Sequence, residues 1–139
     1  MTTFTIVTPS YNQGEFIRQT IDSVLSQNYS DLEYWVIDGG STDETVKILK
    51  SYGKKIKWIS EKDNGQADAI NKGFLKAKGE IVAWSNSDDF YESGTLQKVS
   101  DYFHTHPQID FIFGDMNFVD REGRNSKRCD YLRDFYFFR

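Results

Sequence analysis

Ile81-Val82-Ala83-Trp84-Ser85-Asn86-Ser87-Asp88-Asp89-Phe90-Tyr91 decides the reading of this chain, because four apolar residues run straight towards two adjacent carboxylates. An uninterrupted apolar run of this kind is the pattern of a strand buried on both faces, as in a parallel sheet covered by helices. At the carboxyl end of such a strand the backbone leaves the core, and open α/β sheets bind their ligands at that edge. Neighbouring Asp side chains repel unless a cation or strong donors lie between them, so a hard metal with oxygen ligands is one natural partner for Asp88 and Asp89. A solvated turn in which Asp88 caps the next helix is the other reading that the pair alone allows.

On the amino-terminal side, a strand, loop, helix scheme repeats. Phe4-Thr5-Ile6-Val7-Thr8 reads as a strand ended by Pro9, which cannot donate to a ladder. Ser10-Tyr11-Asn12-Gln13-Gly14 continues as a polar loop, and from Glu15 the positions Phe16, Ile17, Thr20, Ile21, Val24 and Leu25 fall at helical spacing. A second strand, Leu32-Glu33-Tyr34-Trp35-Val36-Ile37, ends at Asp38 and Gly39-Gly40, and Ser41 with Glu44 has capping-box spacing for a helix over about 46–52. Asp38 precedes the glycines and caps nothing obvious. A third, short strand at 56–60 leads through Glu61-Lys62-Asp63-Asn64-Gly65 into a helix with Ala67, Ile70, Phe74, Leu75 and Ala77 towards the core.

Beyond Asp89, Gly94 and Thr95 open a helix with Leu96, Val99, Tyr102 and Phe103 on one face. His104 and His106, two apart at its end, do not share a face and read as structural. Residues 109–115 form a further strand, 116–119 continue it or pair after a bend, and 120–124 make a hairpin turn. The aromatic stretch 131–139 has nothing following it, so further chain or an oligomer contact is expected to cover it.

The 139 residues are expected to form a single domain, and 38% hydrophobic residues suffice for a core. A net charge of -4 argues against nucleic acid as the main partner, since binding its backbone needs a basic surface. No apolar run approaches the roughly 18 residues of a membrane span, which predicts no transmembrane segment and a cytoplasmic location. The one cysteine, Cys129, rules out an internal disulfide and has no zinc-site spacing with the histidines. Gly39-Gly40 is not the spaced fingerprint of a dinucleotide site, and Thr8-Pro9-Ser10 stands where a response-regulator-like domain would carry paired acids.

Four motifs in order, Thr8-Pro9-Ser10-Tyr11-Asn12, Asp38-Gly39-Gly40-Ser41-Thr42-Asp43, Asp63-Asn64-Gly65 with Asn71-Lys72-Gly73, and Asn86-Ser87-Asp88-Asp89, resemble those of family 2 glycosyltransferases. The resemblance runs from about Phe4 to Val119. It implies a Rossmann-like GT-A fold, a three-layer α/β/α arrangement on a mostly parallel sheet, of which this chain is the nucleotide-sugar-binding portion, apparently truncated at its carboxyl end. It also implies transfer of a hexosyl unit from a nucleoside diphosphate sugar, a UDP-sugar favoured, with inversion at the anomeric carbon, aided by Mn2+ or Mg2+. The acceptor is then a carbohydrate or a lipid-linked molecule, and the setting is cell-surface polysaccharide synthesis, cytoplasmic or peripheral to the inner face of the membrane. By motif, Pro9, Ser10, Tyr11 and Asn12 pack around base and ribose, Asp38 with Gly39 reads the base, and Asp63, Asn64 and Gly65 contact nucleotide and diphosphate. Asn86 and Ser87 meet the ribose side, Asp88 ligates the metal, and Asp89 stands behind that ligand as its partner or coordinates the metal through water. No residue matches the family's catalytic base, Asp115 and Asp120 included. An inactive nucleotide-sugar-binding or assembly module is therefore the alternative.

Overall fold

Alternation along Phe4-Thr5-Ile6-Val7 sends Phe4 and Ile6 to one side of a sheet and Thr5 and Val7 to the other, and all four are fully buried. The computed structural model, which describes residues 2–120, 124–129 and 136–138, builds them into β1 (Phe4–Ser10). On one side of β1 lie β2 (Leu32–Asp38) and then β3 (Lys57–Ser60), and on the other lies β4 (Ile81–Trp84), all parallel. Helices α1 (Ile17–Leu25), α2 (Thr45–Ser51) and α4 (Thr95–Thr105) cover the face carrying Phe4, Ile6, Val36 and Ala83. The opposite face, with Val7 and Ile37, is covered by α3 (Gln66–Phe74) through Ala69 and Phe74. The result is the expected three-layer α/β/α arrangement.

Three expectations change. Pairing continues through Pro9↔Ile37 and Ser10↔Asp38, so Pro9 does not end the strand. The carbonyls of Thr3 and Val7 accept from Ile81 and Ser85 on the β4 side, whereas that of Ser10 accepts from Gly39 on the β2 side. Pro9 therefore faces the β4 side, where the ladder has already finished at Val7↔Trp84, and its missing N–H leaves nothing unpaired.

The central apolar strand is not equally buried on both faces: Ile81 and Ala83 are buried, but Val82 and Trp84 only partly. On that second face Trp84 meets Phe74 at 6.3 Å and stacks on Phe138 at 5.9 Å.

Part of the aromatic stretch near the end is covered by the chain itself. Tyr136–Phe138 forms β8, which runs antiparallel between β4 and β5 (Phe111–Phe113), and Phe137 is 2% exposed in the main core. The strand buries it where the sequence offered no covering helix. Residues 131–135 of that stretch, and 121–123 of the expected hairpin tip, lie outside the described residues. The strands on either side of that tip, β6 (Met116–Val119) and β7 (Asn125–Cys129), do pair antiparallel in a separate ribbon. At the end of α4 the His106 ring stacks on Tyr102 at 4.1 Å, the structural role expected of it.

Away from the ligand edge, Glu33 gathers donors. Its carboxylate accepts from Lys57 Nζ at 2.6 Å, Thr5 Oγ1 at 2.8 Å and the Lys78 amide at 3.0 Å. Burial opposes its charge, but the Lys57 ammonium, the Thr5 hydroxyl and the Lys78 amide outweigh it and hold the carboxyl below its ordinary range. A depressed folded value means that the stabilisation is present above the unfolded value and is lost as pH falls through the folded one. Glu33→Gln is expected to cost about 2 kcal/mol at neutral pH. Its chemical-denaturation midpoint should also fall less steeply than the wild type's below about pH 4.3.

Candidate functional site

The carboxyl ends of β1, β2 and β4, with the loop after β3, open onto a cleft of about 650 Å3. Strand order reverses between β1 and β4, which places the cleft at a topological switch point. Pro9, Ser10 and Tyr11 line it from β1, Gly39 from β2, Asp63 and Gly65 from the β3–α3 loop, and Asn86, Ser87 and Asp88 from the end of β4. The Ser10 hydroxyl is buried here without a hydrogen-bond partner among the described residues.

Asn12, Asp38 and Asn64 stand outside the wall and organise it. Asn12, at a positive φ of 52°, accepts from the Thr42 amide at 2.9 Å, while its own N–H donates to Ser41 Oγ at 2.8 Å. Gln13 and Gly14 donate their amides to Thr45 Oγ1 and Asp43 Oδ2, each at 2.9 Å, so the first loop is stitched to the second. Burial opposes the charge of Asp43, yet bonds from Thr45 and the Gly14 amide hold its carboxyl below the usual range. Ser41 and Glu44 form no capping box. Glu44 pairs with Lys47 at 2.8 Å, Ser41 Oγ donates to Asp38, and Asp43 accepts from the Thr45 amide at the start of α2.

Asp38, the acid that the resemblance assigns to the base, is fully buried. Its carboxylate accepts from Ser60 Oγ at 2.6 Å, from the Ser41 amide at 2.9 Å, from the Gly40 amide at 3.2 Å and from the Ser41 hydroxyl. Oδ2 thus takes three donors and Oδ1 one, all from the chain itself. Asp63 holds the position beside the cleft instead. Its Oδ1 accepts from the Gly65 amide at 2.9 Å, and its carboxylate lies so close to Gly39 that a Cβ there would fall 2.9 Å from Oδ2. Asn64 is fixed through its amide, which donates to Asp68 at 3.1 Å, and Lys72 joins Asp68 to Glu61.

Asn86 links α3 to the turn after β4. Its Oδ1 accepts from Gln66 Nε2 at 2.7 Å, and its Nδ2 donates to Asp89 Oδ2 at 3.0 Å. Asp89 faces a second cleft of about 490 Å3, whose walls also include Asn86, Asp88, Glu92, Asp115 and Phe118. Asp88 belongs to both clefts, is exposed, and has no hydrogen bond or ion pair among the described residues. Among those residues no three His, Cys, Asp or Glu side chains converge to hold a metal. Gln13, Lys62, Gln66 and Ala69 also line the first cleft. Sequence reasoning passed over them, although Lys62 and Gln66 flank the Asp63-Asn64-Gly65 motif that it singled out.

The family model of glycosyl transferase family 2 matches residues 5–138. The chain belongs to glycosyl transferase family 2. Among relatives of this family 2 chain, an uncharacterized glycosyltransferase (alr2836) of Nostoc sp. is 33% identical, over 90% of this chain and 39% of that protein. The chondroitin synthase of Escherichia coli is 31% identical, over 85% of this chain and 18% of the synthase, so the chain spans well under half of either. Residues 1–349 of S. aureus TarS, solved with UDP-GlcNAc, superpose with a TM-score of 0.77 at 26% identity, over 90% of this chain and 37% of that one. The mannosyltransferase PcManGT of Pyrobaculum calidifontis, solved with GDP-Man and Mn2+, gives a TM-score of 0.75 at 20% identity, over 99% of this chain and 44% of that one, a likeness of fold. The fold is GT-A, as the motifs implied. Among the described residues no helix is long and apolar enough to cross a membrane.

Proposed function

We propose that the first cleft binds a nucleoside diphosphate sugar, a UDP-sugar in preference, and that the chain is the donor-binding part of an inverting glycosyltransferase acting on a carbohydrate or lipid-linked acceptor in surface polysaccharide synthesis. The observation that carries this reading is Asp88, a carboxylate without a protein partner among the described residues, at the boundary of two clefts. The TarS fragment with UDP-GlcNAc supports the choice of donor, and the chondroitin synthase supports a sugar acceptor.

Asp88, with Asp89 beside it, suits Mn2+ or Mg2+, because hard cations take carboxylate oxygens and substrate phosphates rather than an all-protein cage. The cation would neutralise the diphosphate and stabilise it as the leaving group. The chain's own part is positional. Tyr11, 60% exposed at the rim, offers a face for stacking, the first two loops hold each other's shape, and Gln66 through Asn86 fixes Asp89. Calorimetric titration with UDP and GDP, each with and without manganese, tests the reading. Cation-dependent binding of either nucleotide is expected, and a folded sample that binds neither overturns it.

A further inference from the structure

Two adjacent residues of the first cleft are left without an explanation. Lys62 is exposed, makes no hydrogen bond or ion pair among the described residues, and is the one cation among the described residues lining that cleft. Its neighbours are occupied: Glu61 pairs with Lys72 at 3.2 Å, and the Glu61 amide donates to the Asp38 carbonyl at 3.0 Å. A Cβ on Gly40 would lie 3.4 Å from the Lys62 nitrogen, so the backbone of Lys62 is packed against the end of β2. Asp63 spends Oδ1 on the Gly65 amide, while Oδ2 points past Gly39 with no hydrogen bond among the described residues. The cleft therefore carries one ammonium donor and one carboxylate acceptor from consecutive residues, neither of them fully engaged among the described residues, on the β2 and β3 side of β1. Asp88 stands across β1, at the β4 end. Ser10, 5% exposed with an unpartnered hydroxyl, lies in the wall between them and marks the cleft as built for a polar ligand.

We infer that Lys62 and Asp63 together read the base of the donor, selecting a keto–imide edge. This rests on the reading of the cleft as the donor site. With the diphosphate directed to Asp88, the base falls on the opposite side, where Lys62 and Asp63 are. Lys is donor-only and an ionised Asp acceptor-only, so the pair matches a ring N–H beside a carbonyl. Uracil and guanine present that pattern. Cytosine and adenine present a lone pair at the ring nitrogen and an amino group beside it, which sets the carboxylate against a lone pair and the ammonium against a donor. Asp38, the acid that the family resemblance would assign to the base, is fully buried and already holds Ser41, Gly40 and Ser60.

The test is calorimetric titration of the chain, Lys62→Met and Asp63→Asn with UDP, GDP, CDP and ADP at saturating Mg2+, with circular dichroism as a check on folding. The wild type is expected to bind UDP and GDP roughly tenfold to a hundredfold more tightly than CDP and ADP. Lys62→Met should lose a similar factor for UDP and GDP and little for the other two, and Asp63→Asn should compress the preference. An equal loss for all four nucleotides in Lys62→Met would place the ammonium on the phosphates and overturn the assignment, as would a wild type that does not discriminate. If a folded wild type binds none of the four, the donor reading itself fails, a pattern distinct from binding without preference.

Discussion

Asp88→Ala is expected to abolish cation-dependent nucleotide binding while leaving the unfolding transition where it was. The two halves of this result have different causes. Asp88 is exposed and holds nothing else in place among the described residues, so its removal strands no donor and opens no cavity. Surface substitutions of that kind stay within about 0.5 kcal/mol of the wild type. The loss in binding is large because no other described carboxylate lines the boundary of the two clefts in the same way: Asp63 sits across β1, and Asp89 is engaged by Asn86. A cation held against a diphosphate contributes several kcal/mol, so affinity in the presence of Mn2+ should fall on the order of a hundredfold or more. Calorimetry with and without the cation, beside thermal unfolding of both proteins, checks it. An Asp88→Ala variant that still binds UDP or GDP in a cation-dependent way would move the metal site elsewhere.

The largest loss of stability is expected from Gly79→Ala, far from either cleft. A Cβ there would fall 2.5 Å from the Thr5 nitrogen, 2.6 Å from the Phe4 carbonyl carbon and 2.9 Å from the Thr3 oxygen. All three are backbone atoms at the start of the central strand, and none can swing aside as a side chain would. The Gly79 amide also donates to Thr5 Oγ1 at 2.9 Å, in the network around Glu33, and backing away would break that bond. Overpacking of this kind costs about 3 kcal/mol, a fall in Tm of roughly 10 °C for a chain of this size. Gly114→Ala, where no atom of the described residues lies within 4 Å, is the matched control and should be neutral in the same thermal melt.

The parts of this fold that the sequence announces are those set by local pattern. The apolar runs at 4–8, 32–37 and 81–84 and the helical spacing of Ile17, Thr20, Ile21 and Val24 became β1, β2, β4 and α1, because one buried face suffices to specify each. The loops of the first cleft follow from the same pattern, since Pro9, Gly39, Asp63 and Asp88, all near the ends of strands, line it together. What escaped notice depends on distant partners. Asp38 is saturated partly by Ser60, 22 residues on, and no spacing near Asp38 reveals that. Pro9 is tolerated inside a strand only because the neighbouring strand stops two residues short of it. Lys62 carried no signal of its own, since a lysine in a polar turn is ordinarily just solvated. The stacking of His106 on Tyr102, one helical turn away, is likewise absent from the spacing of the two histidines.

The insertion of β8 between β4 and β5 bears on the way the chain is made. Until residues 136–138 leave the ribosome, β4 has one unpaired edge and the core lacks Phe137. Trp84 precedes Tyr136 by 52 positions, so at ordinary rates of synthesis that edge waits roughly 3–10 s for its partner. The nascent protein thus carries an open hydrogen-bonding ledge beside exposed apolar surface for that interval, the condition under which neighbouring chains on one message pair with each other. Slowing elongation between β4 and β8 should accordingly raise the insoluble fraction, and a folding helper that shields strand edges should lower it.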